Sequence, residues 1–402
     1  MTASPTTEKQ QPAFSRFSER LELMKSKGLY RSYFPTAHMS TSPGQTLHHG
    51  QEIEVWCTND YLGLSQHPDL IRTQMESTAL HGTSMGGSRN IAGTSTTHAE
   101  LERRLARWHG KERALVFSSG YVANFESLSV LLSEIPGIIA LSDENNHRSL
   151  IEGIRRAKCE KYIFPHNDLA ALEARLAACD PDQPKLIVFE SVYSMDADIS
   201  PVSAICDLAE KYNAFTYLDE THAIGAMGPT GAGLCEAIGE SRPTFVQGVF
   251  GKALGTVGGY VAGPDTAMDF IRSHAPGFIF TTSLPQACMD ATLKGLDLVQ
   301  ADDGLRRRLT ERSLRMKAEL RAVDIPFLDS VHHIIPVMVP GSERTLRVTN
   351  LLLEKHRIYV QPINFPSVPL GTERLRVTVP PYRTDEQIEG FASALRDCLD
   401  NA

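Results

Sequence analysis

The chain has 402 residues, 42% of them hydrophobic and 22% charged, a composition that fits a soluble globular protein long enough for two domains. Its formal net charge of -8 argues against nucleic acid or an anionic membrane as the main partner, and no apolar run approaches the length of a membrane span. Seven cysteines lie singly with no CxxC pair, the pattern of reduced thiols in a cytoplasmic enzyme rather than of a disulfide framework or zinc site.

Residues 1–13 are polar, contain proline and lack the apolar core of a signal peptide, which predicts a disordered leader. A helix follows from Phe14 to about Gly28, with Phe14, Phe17, Leu21 and Met24 on one face. Glu52–Cys57 is a strand candidate that ends in Thr58-Asn59-Asp60-Tyr61. A helix near 67–81 and a Gly/Ser-rich turn over 82–95 come next, then Thr97 and Glu100, the signature of a capping box. Ala114–Ser118 reads as a buried strand, and Ser118-Ser119-Gly120-Tyr121 as the head of another helix, whose free amides would suit an anion. Many such turns bind nothing, so this signal is weak in isolation.

From residue 138 strands and helices alternate through IIALSD, SLIEGIRRAK, KYIF, DLAALEARLAA, KLIVFESV, SAICDLAEKY and FTYLDE. Alternation of this kind predicts an α/β fold with a mostly parallel, doubly wound sheet and helices on both faces. One long helical pattern spans about 286–322, and its Arg306-Arg307-Arg308 cluster reads as a solvated face. The last 80 or so residues read as a small α+β unit. The expected division is an arm and helix over 1–55, a large domain over 56–300 and a small C-terminal domain over 301–402.

Chemistry concentrates where two apolar runs stop abruptly. Phe215–Leu218 ends in Asp219-Glu220-Thr221-His222, and Phe245–Phe250 ends in Gly251-Lys252. Strand ends of a parallel sheet share one edge, the usual seat of catalysis in α/β folds. A lysine there can form a Schiff base with an aldehyde cofactor, while a carboxylate keeps a pyridine nitrogen protonated. A structural ion pair is the other reading of the same two residues. His147, in SDENNHRSL, follows a strand and precedes a helix, so its imidazole could stack on a ring or serve only as a helix cap. Ser194 and His222 also lie just past strand ends, and Arg376 in RLRVTV is suited to a carboxylate.

Long blocks then carry a resemblance: CTNDYLGL, GGSRNIAGT, LSDENNHRSLIEGIRR, FESVYSMDADISP, TYLDETHAIGAMGPTGAG, APGFIFTTSLP and VQPINFPSVPLGTERLRVT. From about Arg31 to its C-terminus the chain resembles the α-oxoamine synthases, fold type I enzymes that use pyridoxal 5'-phosphate (PLP) to condense an amino acid with an acyl-CoA. The resemblance implies that Lys252 is the Schiff-base lysine and catalytic base, Asp219 the partner of the pyridine nitrogen and His147 the stacking ring. It implies cofactor contacts from Ser194 and His222 on the O3′ side and from Gly120 and Tyr121 on the phosphate side. Arg376 and Asn59 would grip the amino acid. The site would be shared across a homodimer, with Thr281 or Thr282 reaching the partner's phosphate.

On the acyl side the resemblance matches Arg31, Asn90 and Ser367 to residues that hold the free carboxylate of succinyl-CoA, with Lys161 near the CoA nucleotide and Ser142 a further contact. Glycine and succinyl-CoA are therefore the expected substrates; a sibling reaction with alanine, serine, threonine or another acyl-CoA is the alternative. Two positions depart from the family pattern. Ser88 stands where threonine is usual beside the amino-acid side chain, and Val249 stands where threonine usually meets the cofactor phosphate.

Overall fold

The computed structural model describes residues 11–27, 29–30, 33–38, 42–329 and 333–402. The predicted leader over 1–10 lies outside the described residues. Gln11–Ala13, expected to be disordered with it, instead form the first turn of a helix over Gln11–Ser26. The apolar residues of that helix are largely exposed: Phe14 is 51% exposed and Phe17 62%.

Three short strands come first, β1 (Ala37–His38), β2 (Gln45–His48) and β3 (Gln51–Val55). Seven more form the central sheet: β4 (Arg113–Phe117), β5 (Ile139–Asp143), β6 (Glu160–Phe164), β7 (Lys185–Glu190), β8 (Phe215–Asp219), β9 (Phe245–Val249) and β10 (Gly259–Gly263). Their order is β4-β10-β9-β8-β7-β5-β6, and only β10 runs against its neighbours. The doubly wound reading follows from alternation of side chains across the pleat. Ala140, Leu186, Val188 and Tyr217 pack with Leu128 and Ile154 on one face. Ile139, Leu141, Ile187, Phe189 and Leu218 pack with Leu172, Leu176, Val202 and Ile205 on the other. Each buried Leu, Ile, Val or Phe among them contributes about 1.5–3 kcal/mol, so both faces hold the sheet in register.

Toward the C-terminus come β11 (Ile334–Met338), β12 (Ile358–Tyr359), β13 (Pro362–Ile363) and β14 (Arg374–Thr378). β12 completes the β1-β2-β3 sheet, while β11-β14-β13 is an antiparallel sheet backed by helices Gly304–Ala322, Ser342–His356 and Asp385–Asp400. Trp56, from the segment after β3, is fully buried in this second core, with Phe391 at 4.6 Å and the Arg383 guanidinium 4.1 Å over its ring.

Three local expectations are corrected. The helix over Thr96–Trp108 is capped by Ser95 with His98, not by Thr97 with Glu100. Thr97 donates to Asp290 instead, and Glu100 pairs with Arg103, so tertiary partners claimed the residues that composition suggested as caps. The long helical pattern is two helices, Gln286–Ala301 and Gly304–Ala322. Asp302 breaks it by turning its carboxylate onto the amide of Gly304 at 2.9 Å. Arg306 is not on a solvated face: it is 6% exposed and donates to the carbonyls of Val299 and Pro229. Arg307 and Arg308 are exposed as expected.

One polar cluster clamps the loops around the sheet's C-terminal edge. His166 lies between Asp143 at 2.8 Å and Asp198 at 2.7 Å, and Asn167 adds bonds to both carboxylates. These two pairs raise the His166 pKa to about 10 against the desolvation that opposes it. A histidine raised in the folded state stabilises fully below its unfolded pKa and loses that contribution as pH rises through the folded value. Urea midpoints of wild type and His166→Gln should therefore differ most at or below pH 6.5, converge above it and coincide past about pH 10.

Candidate active site

Parallel pairing sends the ends of β5, β7, β8 and β9 to one edge, where they meet the head of the helix Gly120–Glu134. A cavity of about 380 Å3 opens there, and Gly120, Tyr121, His147, Asp219, His222, Val249 and Lys252 all line it. Seven residues singled out in the sequence are thus brought together by the topology.

Asp219 ends β8 and is 3% exposed. One carboxylate oxygen accepts from Asn124 Nδ2 and the other from the Thr221 amide, both at 2.8 Å. Asn124 is fixed in turn by Tyr217, whose hydroxyl donates to Asn124 Oδ1 at 3.0 Å. Lys252 sits in the turn after β9, and its pKa falls to about 8. Desolvation is the main cause, helped by Arg376 and opposed by Asp219 and Glu190. A lysine so placed is a usable base near neutral pH.

His147 caps the helix Arg148–Ala157, taking the Ser149 amide on Nδ1. Desolvation lowers its pKa, with Asp219 resisting and Lys252 assisting. His222 is buried, and its pKa is pushed far down by desolvation and then by Lys252 and Arg376. The ring Nδ1 and the Tyr61 hydroxyl share a hydrogen bond of 2.7 Å, and Tyr61 accepts from Arg376 at 2.8 Å. Arg376, on β14, also donates to Asn59 Oδ1 at 3.0 Å and to the Ser194 carbonyl at 2.9 Å. Arg376, Asn59 and Ser194 therefore form a second cluster, wired to the first through Tyr61 and His222.

The other sequence candidates lie elsewhere. Ser88 bridges Thr282, and Ser283 ties the same two loops together through the carbonyls of Gly87 and Gly93. Thr281 and Thr282 line a cleft with Arg89 and Ser118, and Asn90 is exposed nearby in sequence. None of these lines the Lys252 cavity. Ser142 is buried on β5, its hydroxyl accepting from Asn146 at 2.9 Å. Lys161 is exposed on β6, an edge strand. Ser367 lines a separate cleft of about 340 Å3 with Tyr30 and Tyr33, and Arg31 lies outside the described residues.

Sequence reasoning missed Glu190, Asn124 and Tyr61. Glu190 carried the same signal as Asp219, a carboxylate ending an apolar strand, in KLIVFE. Asn124 is one of several buried polar residues in its helix, with Glu126, Ser127 and Ser129, and Tyr61 sits within the NDYLGL block.

Comparison with known proteins agrees with this geometry. The chain belongs to the aminotransferase class I and II family, which matches residues 51–395. It is 47% identical over 386 residues to the 5-aminolevulinate synthase of Rhizobium meliloti (strain 1021), covering 95% of this chain and 96% of that protein. It is 44% identical over 389 residues to the 5-aminolevulinate synthase of Bradyrhizobium diazoefficiens, covering 96% and 95%. Among solved structures, a serine palmitoyltransferase of S. paucimobilis with PLP bound superposes with a TM-score of 0.89 at 28% identity, covering 97% of this chain and 98% of that one.

The floor of the cavity is built around a missing side chain. A Cβ on Gly120 would lie 2.1 Å from Val249 Cγ1, a contact no side chain can make. Gly120→Ala should therefore destabilise the protein by about 1–3 kcal/mol, the usual size of an overpacking penalty. Adding Val249→Ala should recover much of that loss. Thermal unfolding of the three variants checks both statements.

Proposed function

We propose that the protein is a PLP-dependent acyltransferase that condenses glycine with succinyl-CoA, with decarboxylation, to give 5-aminolevulinate, CoA and carbon dioxide. The observation that carries this reading is the convergence of Lys252, Asp219 and His147 on one cavity, in a chain 47% identical to a 5-aminolevulinate synthase over nearly its whole length.

The residues present fit the cofactor. Gly120 and Tyr121 begin a helix at the cavity, where amide N–H groups suit a phosphate, and close packing on Val249 leaves Gly120 without a side chain to obstruct them. Asp219, held by two N–H donors, suits a protonated pyridine nitrogen, and His147 suits the ring face. PLP bound there supplies an electron-accepting ring for the electrons of the glycine α-carbon. Lys252 takes the α-proton, which its low pKa permits. Ser194 and His222 serve the O3′ side. Arg376 with Asn59 grips the glycine carboxylate, its guanidinium already oriented by Ser194 and Tyr61.

A second copy of the chain completes the site. Ser88, Asn90, Thr281 and Thr282 lie off their own Lys252 cavity on one stapled pair of loops, from which a homodimer would offer them to the partner's cavity. The exposed Phe14 and Phe17 give the N-terminal helix an apolar face for the same contact. Asn90, Ser367 and Arg31 hold the succinyl carboxylate, Lys161 and Ser142 serve the CoA side, and Ser88 bounds the amino-acid pocket. Val249 offers the phosphate methyl groups rather than a hydroxyl. Domains over 56–300 and 301–402, after an arm over 1–55, follow the central and C-terminal sheets in outline, with Trp56 packed into the C-terminal core and Leu309 and Ile334 packed with Leu254 and Tyr260. Seven free cysteines suit a reducing cytoplasm, and no described helix is long and apolar enough to cross a membrane.

Lys252→Ala should leave a folded dimer and lower kcat for 5-aminolevulinate formation by roughly 10²–10⁴, the size of a general-base contribution. Turnover within about tenfold of wild type, ~1.4 kcal/mol of barrier, would remove Lys252 from its role. Asn90→Ala should raise the KM for succinyl-CoA by roughly ten- to hundredfold and leave that for glycine nearly unchanged, since it loses a hydrogen bond to a charged group. Equal effects on both substrates would refute the acyl assignment of Asn90.

A further inference from the structure

Glu190 ends β7 as Asp219 ends β8, and the two are direct partners in the parallel ladder. Neighbouring strands lie about 4.8 Å apart, and paired residues point to the same face. Both side chains line the Lys252 cavity, and Glu190 is 3% exposed. Two carboxylates on adjacent strands of one buried edge repel each other when both are ionised, which favours a proton on the pair. Their hydrogen-bond partners say which holds it. Asp219 receives two N–H donors, one on each oxygen. Glu190 receives one, the His147 amide on Oε1 at 2.5 Å, and among the described residues nothing donates to its second oxygen.

We propose that Glu190 is a further functional residue of the site: a neutral carboxylic acid that fixes the His147 loop with one oxygen and presents an O–H to the cavity with the other. It is a positioning residue for His147. Its uncharged state also spares Lys252 and Asp219 a second negative charge in the lining of their cavity, the arrangement that the proposed reaction needs. The surroundings agree. Burial and then the Asp219 carboxylate drive the Glu190 pKa well above the usual range; the His147 amide and Lys252 pull the other way, and Asp143 adds to the rise. Tyr193 also lies beside Glu190, its hydroxyl accepting from the Glu190 amide at 3.3 Å, and His222 lines the same cavity.

The role separates from a structural one by pH. Glu190→Gln keeps an acceptor for the His147 amide and stays neutral at every pH. A purely structural Glu190 would make the variant and wild type alike throughout. As a neutral acid, Glu190 ionises at high pH and sets a second negative charge beside Asp219 and Lys252, which the variant cannot do. The wild type should then lose kcat on an alkaline limb that Glu190→Gln lacks, while at neutral pH the variant is slower by only about three- to tenfold, the loss of one hydrogen bond.

The decisive readout does not depend on turnover, so it remains valid if the proposed reaction is wrong. Infrared spectra of wild type at pH 7 should show a protonated-carboxyl C=O band that shifts with ¹³C-glutamate labelling and disappears in Glu190→Gln. Another buried glutamate nearby, Glu220, accepts from Ser191, Leu234 and Cys235, so Glu220→Gln should leave the band in place. A wild-type spectrum without the band overturns the proposal. So does a band that survives Glu190→Gln or vanishes in Glu220→Gln, and so do superimposable pH profiles for wild type and Glu190→Gln.

Discussion

Register in the parallel sheet forces Glu190 and Asp219 side by side, and Lys252 follows the next strand along. Two acids and an amine, partly withdrawn from water, are costly to assemble, because charges in a low-dielectric cleft interact several-fold more strongly than in solvent. The surrounding structure offsets that cost at each group. Asn124, itself set by Tyr217, and the Thr221 amide supply Asp219 with donors. The His147 amide supplies Glu190. Among the described residues no hydrogen bond holds the Lys252 amine, and burial, opposed by Asp219 and helped by Arg376, lowers its pKa to about 8. The reactivity of the lysine and the rigidity of the carboxylates are thus two results of one packing problem.

The same edge is braced from the C-terminal sheet. β14 contributes Arg374 and Arg376, which alternate with Leu375 and Val377 in the core of that sheet. Arg376 takes the Ser194 carbonyl, and Arg374 takes the Met195 carbonyl and the Asp196 carboxylate, both at 2.7 Å. Asp198, two residues on, is held by His166, which also grips Asp143 at the end of β5. The loop over 194–198 is therefore anchored to both sheets within five residues. Because Arg376 reaches His222 through Tyr61, the residues proposed to hold glycine and those proposed to hold PLP share one hydrogen-bonded frame. Charged bonds to buried groups are among the strongest that side chains make, and severing one strands its partner in the interior.

Most of the sheet was legible because burial on both faces writes itself as apolar runs, and a parallel topology sends their charged ends to one edge. Asp219, Lys252 and His147 could be placed together on that rule alone, before any resemblance was considered. Glu190 obeyed the same rule and was passed over because a strand-end glutamate has no distinctive chemistry until its neighbour across the ladder is known. Asn124 and Tyr61 were hidden for a related reason: their partners are 95 and 161 residues away, a separation that local pattern cannot bridge. Local rules also failed where a side chain had two uses. Thr97 could cap its helix or reach Asp290, and the distant partner won. Arg306 sat in a run of three arginines, which reads as solvent-facing, yet carbonyls of Val299 and Pro229 gave it a buried seat. The break at Asp302 left the apolar periodicity nearly intact, so only the side chain's competition for the Gly304 amide reveals it.

The residues that fall outside the Lys252 cavity follow a logic of their own. Ser88 and Thr282 come from loops far apart in the chain, yet they bridge each other, and Ser283 fastens the pair through its amide and hydroxyl. Gly93 makes this closeness possible, since a Cβ there would sit 2.3 Å from Ser283 Oγ and 2.2 Å from the Gly87 carbonyl. The loop proposed to bound the amino-acid pocket and the loop proposed to reach the cofactor phosphate are thus one mechanical unit. In the proposed shared site, that unit would enter the partner's cavity as a single piece. Amino-acid selectivity and cofactor retention would then be coupled through the geometry of the staple, and a change in either loop would be felt at both ends of the partner's site.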